Sequence, residues 1–196
     1  MYYGKGQILK IYPGPEFRIS ARYIVAPDLS VKAGIQRNFQ YLNMISNTTS
    51  MSPTDIWKLS DSYINPQRGD QISFGIYKDF RRKAIESSIE VYYKKLKNIM
   101  DYKGGATLLM NEHLETDILS GVGKAYGIEL MLKKQSGILT GWISYTYSRS
   151  LIKVDGEFEE EKINRGEYFP ANFDKPHDLK VVGNLRLIRR LNLTSN

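Results

Sequence analysis

The sequence predicts an all-β fold, an antiparallel up-and-down meander of about eight strands. Three observations carry that expectation. Apolar and polar residues alternate with a period of two in one segment after another. The connections between those segments are alternately short and long. The aromatic residues of the apolar faces gather beside the long connections.

The alternation can be followed along the chain. Phe17, Ile19, Ala21 and Tyr23 interleave with Arg18, Ser20 and Arg22. Val31, Ala33, Ile35, Phe39 and Tyr41 interleave with Lys32, Gly34, Gln36, Asn38 and Gln40, and Arg37 interrupts the apolar side. Ile72, Phe74 and Ile76 oppose Ser73, Gly75 and Tyr77, and Ile85, Ile89, Val91 and Tyr93 oppose Glu86, Ser88, Glu90 and Tyr92. Tyr126, Ile128, Leu130 and Leu132 oppose Gly127, Glu129, Met131 and Lys133. "GILTGWISYTYSRS" places Leu139, Gly141, Ile143, Tyr145 and Tyr147 against Thr140, Trp142, Ser144, Thr146 and Ser148. Leu179, Val181, Gly183, Leu185 and Leu187 close the series, with Val182 as an exception on the polar side. A period of two repeated this often is the mark of antiparallel strands with two unlike faces. No segment has a comparable helical period, although "TDIWKLSDSYI" (54–64) is expected to form a short helical turn inside a loop.

"APDL", "RRKA", "KQSG" and "IRR" are short connections, and the segments 43–70, 101–123 and 150–176 are long ones. Consecutive hairpins therefore put every tight turn at one edge and every long loop at the other. Outer-membrane barrels sort their connections this way, whereas sandwiches seldom do. With strand directions assigned from the loops, Phe17, Phe39, Tyr41, Tyr93, Tyr126, Tyr145 and Tyr147 all fall at the long-loop edge of the apolar face. A membrane interface accounts for such a band, since the ring favours the headgroup boundary and the phenol stays wet. Phe80 and Tyr23 fit an opposite girdle. A half-buried soluble sheet would alternate as well.

The 196 residues suffice for one domain, taken as 1–196. With 25% charged and 41% hydrophobic residues, disorder is not expected. No cysteine is present, which removes disulfides and thiolate metal sites. No apolar run is long enough for a transmembrane helix, and "MYYGKGQILK" has no signal-peptide core. The net charge of +7 suggests nucleic acid only on its face value, because no basic groove with stacking aromatics accompanies it, and no nucleic-acid partner is expected.

The stretches "FRISARYIVAPDLSVKAGIQRNFQYLNMIS", "QISFGIYKDFRRKAIESSIEVYYKKLKNIMDY", "GVGKAYGIELMLKKQSGILTGWISYTYSRS" and "NRGEYFPANFDKPHDLKVVGNLRL" resemble, in order, the barrel of TonB-dependent outer-membrane receptors. "GKAYGIELMLKKQSGILTGWISYTYS" followed by "FDKPHDL" is the most specific part. The resemblance implies a section of a barrel of roughly 22 strands, filled by an N-terminal plug. It further implies import of a scarce nutrient of the siderophore, cobalamin or glycan class, and location in the cell outer membrane. The implied partners are outer-membrane lipid, the plug domain of the same full-length protein and the TonB complex, reached through an N-terminal region. This chain lacks the plug and TonB box and ends at "RLNLTSN". It is therefore expected to be an open, partial barrel: a late-middle to C-terminal piece without the last strands. Two other readings stand beside it. One is a complete eight-stranded barrel of structural or adhesive role, and the other is a soluble β-sandwich binding module.

No catalytic residues and no enzyme activity are expected, since no nucleophile–base pair or carboxylate dyad can be argued. No cofactor or metal is expected either. His113 and His177 lack ligand spacing, and His177 is assigned a structural role where "FDKPHDL" re-enters the sheet. The acidic run Asp155–Glu161 lacks the spacing of a calcium loop. "GVGKAYG" opens a strand and is no phosphate loop. The basic turns at 81–83, 133–134 and 189–190 read either as solvated turns or as contacts to anionic headgroups at the periplasmic rim. The polar face carries Arg18, Arg22, Lys32, Glu86, Glu90, Glu129, Lys180 and Arg186, and in a barrel it faces inward. Ligand contacts are expected from the loop aromatics Trp57, Tyr63, Tyr168 and Phe173, residues that loop packing explains equally well.

Overall fold

A computed structural model describes residues 10–45, 56–80, 84–102, 118–156, 158–188 and 191–195. Its strands are β1 (Phe17–Ala26), β2 (Leu29–Gln40), β3 (Leu42–Ile45), β4 (Ile56–Leu59), β5 (Gln67–Phe80) and β6 (Ile85–Tyr102). After these come β7 (Ile118–Lys134), β8 (Leu139–Lys153), β9 (Phe169–Pro170), β10 (His177–Ile188) and β11 (Leu191–Ser195). The main sheet runs β1-β2-β5-β6-β7-β8-β10-β11, with β9 added beside β8, and β3-β4 form a separate hairpin. Every pair is antiparallel. This is the expected meander, and it is open: β1 and β11 are the two ends of the path and do not pair with each other.

The tight turns at 27–28 and 135–138 lie where the sequence predicts, and β5 and β6, like β10 and β11, are direct neighbours in the sheet. The long connections are shorter than predicted, running 41–66, 103–117 and 154–176, because the strands continue beyond the apolar belt into the loop side. There they lose the apolar alternation: β7 begins Ile118-Leu119-Ser120-Gly121, a pattern that does not read as a two-faced strand. The expected helical turn in 54–64 is absent from its described part. Ile56–Leu59 is instead a strand paired with Leu42–Ile45, with Leu42 opposite Leu59 and Asn43 opposite Lys58. The alternation Ile56, Lys58 against Trp57, Leu59 is only four residues long, too short to compete with a helical reading in the sequence.

The four buried hydrophobic residues among the described residues are Ile64, Leu119, Val154 and Ala171, all at the long-connection edge. Among the described residues no second layer covers the sheet's apolar face. Ile72 is 58% exposed, Ile143 48%, Leu179 65% and Tyr23 70%. A sandwich would hide these side chains against a second sheet, so the sandwich reading is excluded. Ile89, Val91, Leu130, Leu132 and Val181 are exposed as expected. Leu185, expected to join them, is half-buried, at a register position between Leu139 and Leu193.

Two glycines are demanded by the backbone. Gly141 in β8 has φ +150, and a Cβ there would stand 2.0 Å from the Val182 carbonyl oxygen of β10. Gly127 lies opposite Tyr92, whose ring and hydroxyl come within 3.0 Å of where its Cβ would be. The tyrosine thus covers the bare backbone from the polar face.

Candidate functional site

Registers across the sheet turn the alternating faces into continuous surfaces. On the apolar face, one row of directly opposed residues is Tyr23, Val31, Ile76, Ile89, Leu130, Tyr145 and Leu179. The next is Ala21, Ala33, Phe74, Val91, Ile128, Tyr147 and His177, followed by Ile19, Ile35, Ile72, Tyr93, Tyr126 and Arg149. These rows form a belt, and the belt is oblique. Tyr23 marks its short-turn margin on β1, but on β8 that margin has moved to Leu139, six residues past Tyr145 in Tyr23's row. Six residues over five strand spacings is about 20 Å against about 24 Å, a slope of about 40°. The other margin follows. The row of Phe39 on β2 runs through Arg68, Lys97 and Val122 to Lys153, six residues past Tyr147. Strands tilted in a barrel wall produce such a slant when the apolar level stays constant.

The seven predicted band aromatics occupy the long-connection margin of this belt. Tyr93 and Tyr126 are directly opposed. Tyr145 and Tyr147 flank His177, whose Nδ1 is 2.8 Å from the Tyr145 hydroxyl and whose ring centroid is 5.3 Å from that of Tyr147. Phe39 stacks with Tyr41 at 6.3 Å, and Arg37 lies 5.5 Å over the Phe17 ring. Tyr41 follows the end of β2, outside the strand. Phe80 closes β5 at the opposite margin.

The polar face carries both signs, as the sequence predicts, but sorted. Arg22 and Lys32 are opposed on β1 and β2, while Glu90 and Glu129 are opposed on β6 and β7. Arg22 donates to the Ser30 hydroxyl at 2.9 and 3.1 Å, and Lys133 pairs with Glu86 at 3.5 Å. Trp142 belongs to this face, opposite Lys133 and Val182.

The long connections are tied down by two aspartates that sequence reasoning does not single out. Asp174, inside "FDKPHDL", accepts the Ser150 amide at 2.6 Å on one oxygen and Arg149 Nε at 3.0 Å on the other. The Ser148 amide bonds the Pro176 carbonyl and the Ala171 amide bonds the Ser150 carbonyl, which zips the returning loop onto β8. Asp61 accepts the amides of Tyr63 and Ile64 at 2.9 and 3.0 Å and faces Lys58 Nζ at 3.3 Å. Burial raises its pKa, but the two amides and Lys58 outweigh that and hold it below the ordinary 3.8. The Ser-Asp-Ser cluster of 60–62 is the local signal for such a side-chain-closed turn.

Trp57 on β4 and Tyr63 after it are exposed on the connection between β2 and β5. Tyr168 and Phe173 are exposed on the connection between β8 and β10, with Lys124 Nζ 4.0 Å over the Tyr168 ring. The four aromatics thus form two pairs on the same edge, on loops separated by β5 to β8 in the sheet. The acidic run holds Asp155 against Lys153 at 2.8 Å, and among the described residues no group of three His, Asp or Glu side chains could hold a metal. Lys153 keeps the exposed Asp155 carboxyl below its ordinary range. His113 and the basic turns 81–83 and 189–190 lie outside the described residues.

A family model described as "TonB dependent receptor-like, beta-barrel" matches residues 16–185. No curated protein sequence matches the chain. Among solved structures, the chain is similar to the FpvAI–pyocin S2 complex, with a TM-score of 0.61 and 12% identity over 91% of this chain and 22% of that one. It is similar also to the ferripyoverdine receptor of the outer membrane of Pseudomonas aeruginosa bound to ferripyoverdine, with a TM-score of 0.58 and 12% identity over 90% of this chain and 21% of that one. At this identity the likeness is one of fold, and the chain spans about a fifth of the length of these proteins.

Proposed function

The chain belongs to the TonB-dependent receptor β-barrel family, a family of receptors and transporters rather than enzymes, and from that premise we propose that it forms one arc of an outer-membrane import receptor. The oblique apolar belt is the observation that carries the reading. It leaves large apolar side chains exposed along the whole sheet, which is costly in water and favourable in lipid. Its slope matches the tilt of roughly 35–45° that barrel strands adopt. Phe17, Phe39, Tyr41, Tyr93, Tyr126, Tyr145 and Tyr147 then form the outer interfacial band. The polar face turns inward to the plug domain of the full-length protein, and the TonB complex engages that protein's N-terminal region.

The substrate proposed is a ferric siderophore, ahead of cobalamin or a glycan, because a ferripyoverdine receptor is among the structural neighbours. Trp57, Tyr63, Tyr168 and Phe173 are exposed aromatics on the loops above the wall and offer stacking and apolar contacts to such a ligand. The test is uptake of radiolabelled iron chelates by cells with and without the full-length gene, alongside membrane fractionation. Loss of uptake of one chelate, only in energised cells, is expected. Unchanged iron uptake with loss of cobalamin or oligosaccharide uptake would reassign the substrate. Recovery of the protein outside the outer membrane would overturn the reading itself.

A further inference from the structure

The β3–β4 hairpin is turned inside out. Leu42 and Leu59 are directly opposed on one face, with Trp57 two positions from Leu59, and they are 44%, 65% and 59% exposed in that order: Leu42, Leu59, Trp57. Asn43 lies on the other face, opposite Lys58, and is 2% exposed. Neither the amide oxygen nor the amide nitrogen of Asn43 has a hydrogen-bond partner, and the buried hydroxyl of Ser60 has none. The Ser60 amide bonds the Tyr41 carbonyl, which continues the ladder and sets Ser60 diagonally beside Asn43 on the same face. Apolar side chains left in water and an amide buried without partners are both unfavourable, and this hairpin carries both.

We propose that Asn43 and Ser60 bind an uncharged amide group of the ligand, of the kind a peptide backbone carries. The inference rests on the import reading and narrows its cargo to chelates built on a peptide. Charge supports it. The neighbouring ions are matched to each other: Lys58 Nζ is 3.3 Å from one Asp61 carboxylate oxygen, and the other oxygen accepts the amides of Tyr63 and Ile64. A charged ligand group would compete with one member of that pair, whereas an amide brings no charge to bury. Hydrogen-bonding capacity supports it as well. Asn43 offers a donor and an acceptor side by side, and one residue of an extended peptide turns its N–H and C=O to the same side. Ser60 adds a further donor or acceptor. Access requires the hairpin to lift. Among the described residues it forms a sheet of its own, with no strand of the main sheet paired to it. Side chains tie it to its neighbours: the Tyr12 hydroxyl donates to the Asp61 and Ile64 carbonyls, and the Gln40 amide donates to the Leu42 carbonyl at 2.9 Å. A ligand held by Asn43 favours the lifted arrangement by its affinity for it, and the movement lets Leu42, Trp57 and Leu59 leave water against that ligand.

The full-length receptor in lipid nanodiscs would be titrated with two sets of ferric chelates. One set carries its hydroxamates on peptides (ferrichrome and linear hydroxamate peptides), and the other has no peptide group (ferric citrate and ferric tris-catechol). A member of the peptide set should bind. Asn43→Leu should weaken that binding by about tenfold or more, and Ser60→Ala should weaken it less. The unfolding temperature of Asn43→Leu should not fall, because the substitution keeps the volume and removes two orphaned polar atoms. Binding confined to chelates without peptide groups overturns the proposal and leaves the import reading intact. Unchanged affinity in Asn43→Leu also overturns it and marks the orphaned atoms as partners of ordered water. Lost affinity accompanied by a lower unfolding temperature makes Asn43 a structural residue and overturns it too. A receptor that binds neither set defeats the siderophore reading and this inference with it.

Discussion

Asp174 and Arg149 form the pair that fixes the returning loop to β8: one carboxylate oxygen meets Arg149 Nε at 3.0 Å while the other takes the amide of Ser150 at 2.6 Å. Arg149 stands at the belt's margin, opposite Tyr126. The same carboxylate therefore neutralises a cation beside the aromatic band and sets where the long connection lands.

Replacing Asp174 with alanine should loosen the 154–176 connection by about 1–3 kcal/mol, since it removes a charge-assisted pair and leaves the Ser150 amide unpartnered. Hydrogen exchange on the full-length protein is the measurement. Amides of 148–150 and 171–175 should exchange faster, with those of β5 to β7 unchanged. Unaltered protection at Ser150 would show that the clamp is dispensable.

Ile143 lies at the middle of the belt on β8 and Ser144 lies on the opposite face. Ile143→Arg should cost the folded barrel about 2–4 kcal/mol and Ser144→Arg much less. Equilibrium unfolding of the two variants in lipid reads the difference. Equal costs would remove the case for lipid on the Ile143 side.

Gly141→Ala should destabilise the β8–β10 pairing by about 2 kcal/mol or more, because alanine adopts φ +150 poorly and its Cβ meets the Val182 carbonyl. Gly183, the register partner of Gly141, has open space around its Cβ position. Gly183→Ala should be nearly neutral, and thermal unfolding that ranks the two equally would contradict this account.

The turn closed by Asp61 should depend on acidity. Its folded pKa lies below the unfolded value, so its stabilising contribution is present above about pH 4 and fades as the pH falls through the folded value. Amide exchange at Tyr63 and Ile64 should therefore accelerate, relative to strand amides, only in strongly acidic buffer. In Asp61→Asn that pH dependence should vanish. A step near neutral pH would point to a different group.

The strands that carry the belt are readable because one side of each is mainly apolar and the other mainly polar. Ile72-Ser73-Phe74-Gly75-Ile76 is legible from residue types alone. Beyond the belt that contrast vanishes, so the ends of β6, β7 and β8 read as loop. The hairpin of β3 and β4 escapes sequence reading for a related reason: four residues per strand leave no period to detect. The long-connection aromatics do fall on or beside loops, but their grouping into two pairs depends on strand order, which residue type does not encode. Asp174 is invisible as an anchor, because Arg149 and the Ser150 amide are brought to it by the fold, whereas Asp61 closes its turn on the amides of Tyr63 and Ile64 and has a local signal in Ser60-Asp61-Ser62. Asn98, with φ 57, forms the bulge where Lys97 and Ile99 shift register; asparagine tolerates that backbone, and the residue type is the one sign of it in "KLKNIM".

The oblique belt also fixes how much perimeter each strand supplies. A strand leaning at about 40° occupies about 6.3 Å of circumference instead of about 4.8 Å. The eight strands of the main path thus furnish about 50 Å of wall, which rolled up alone would give a tube about 16 Å across its backbone, filled by its own side chains. Diameter grows linearly with strand count at fixed lean, so any barrel with a wider interior needs more strands set at the same angle.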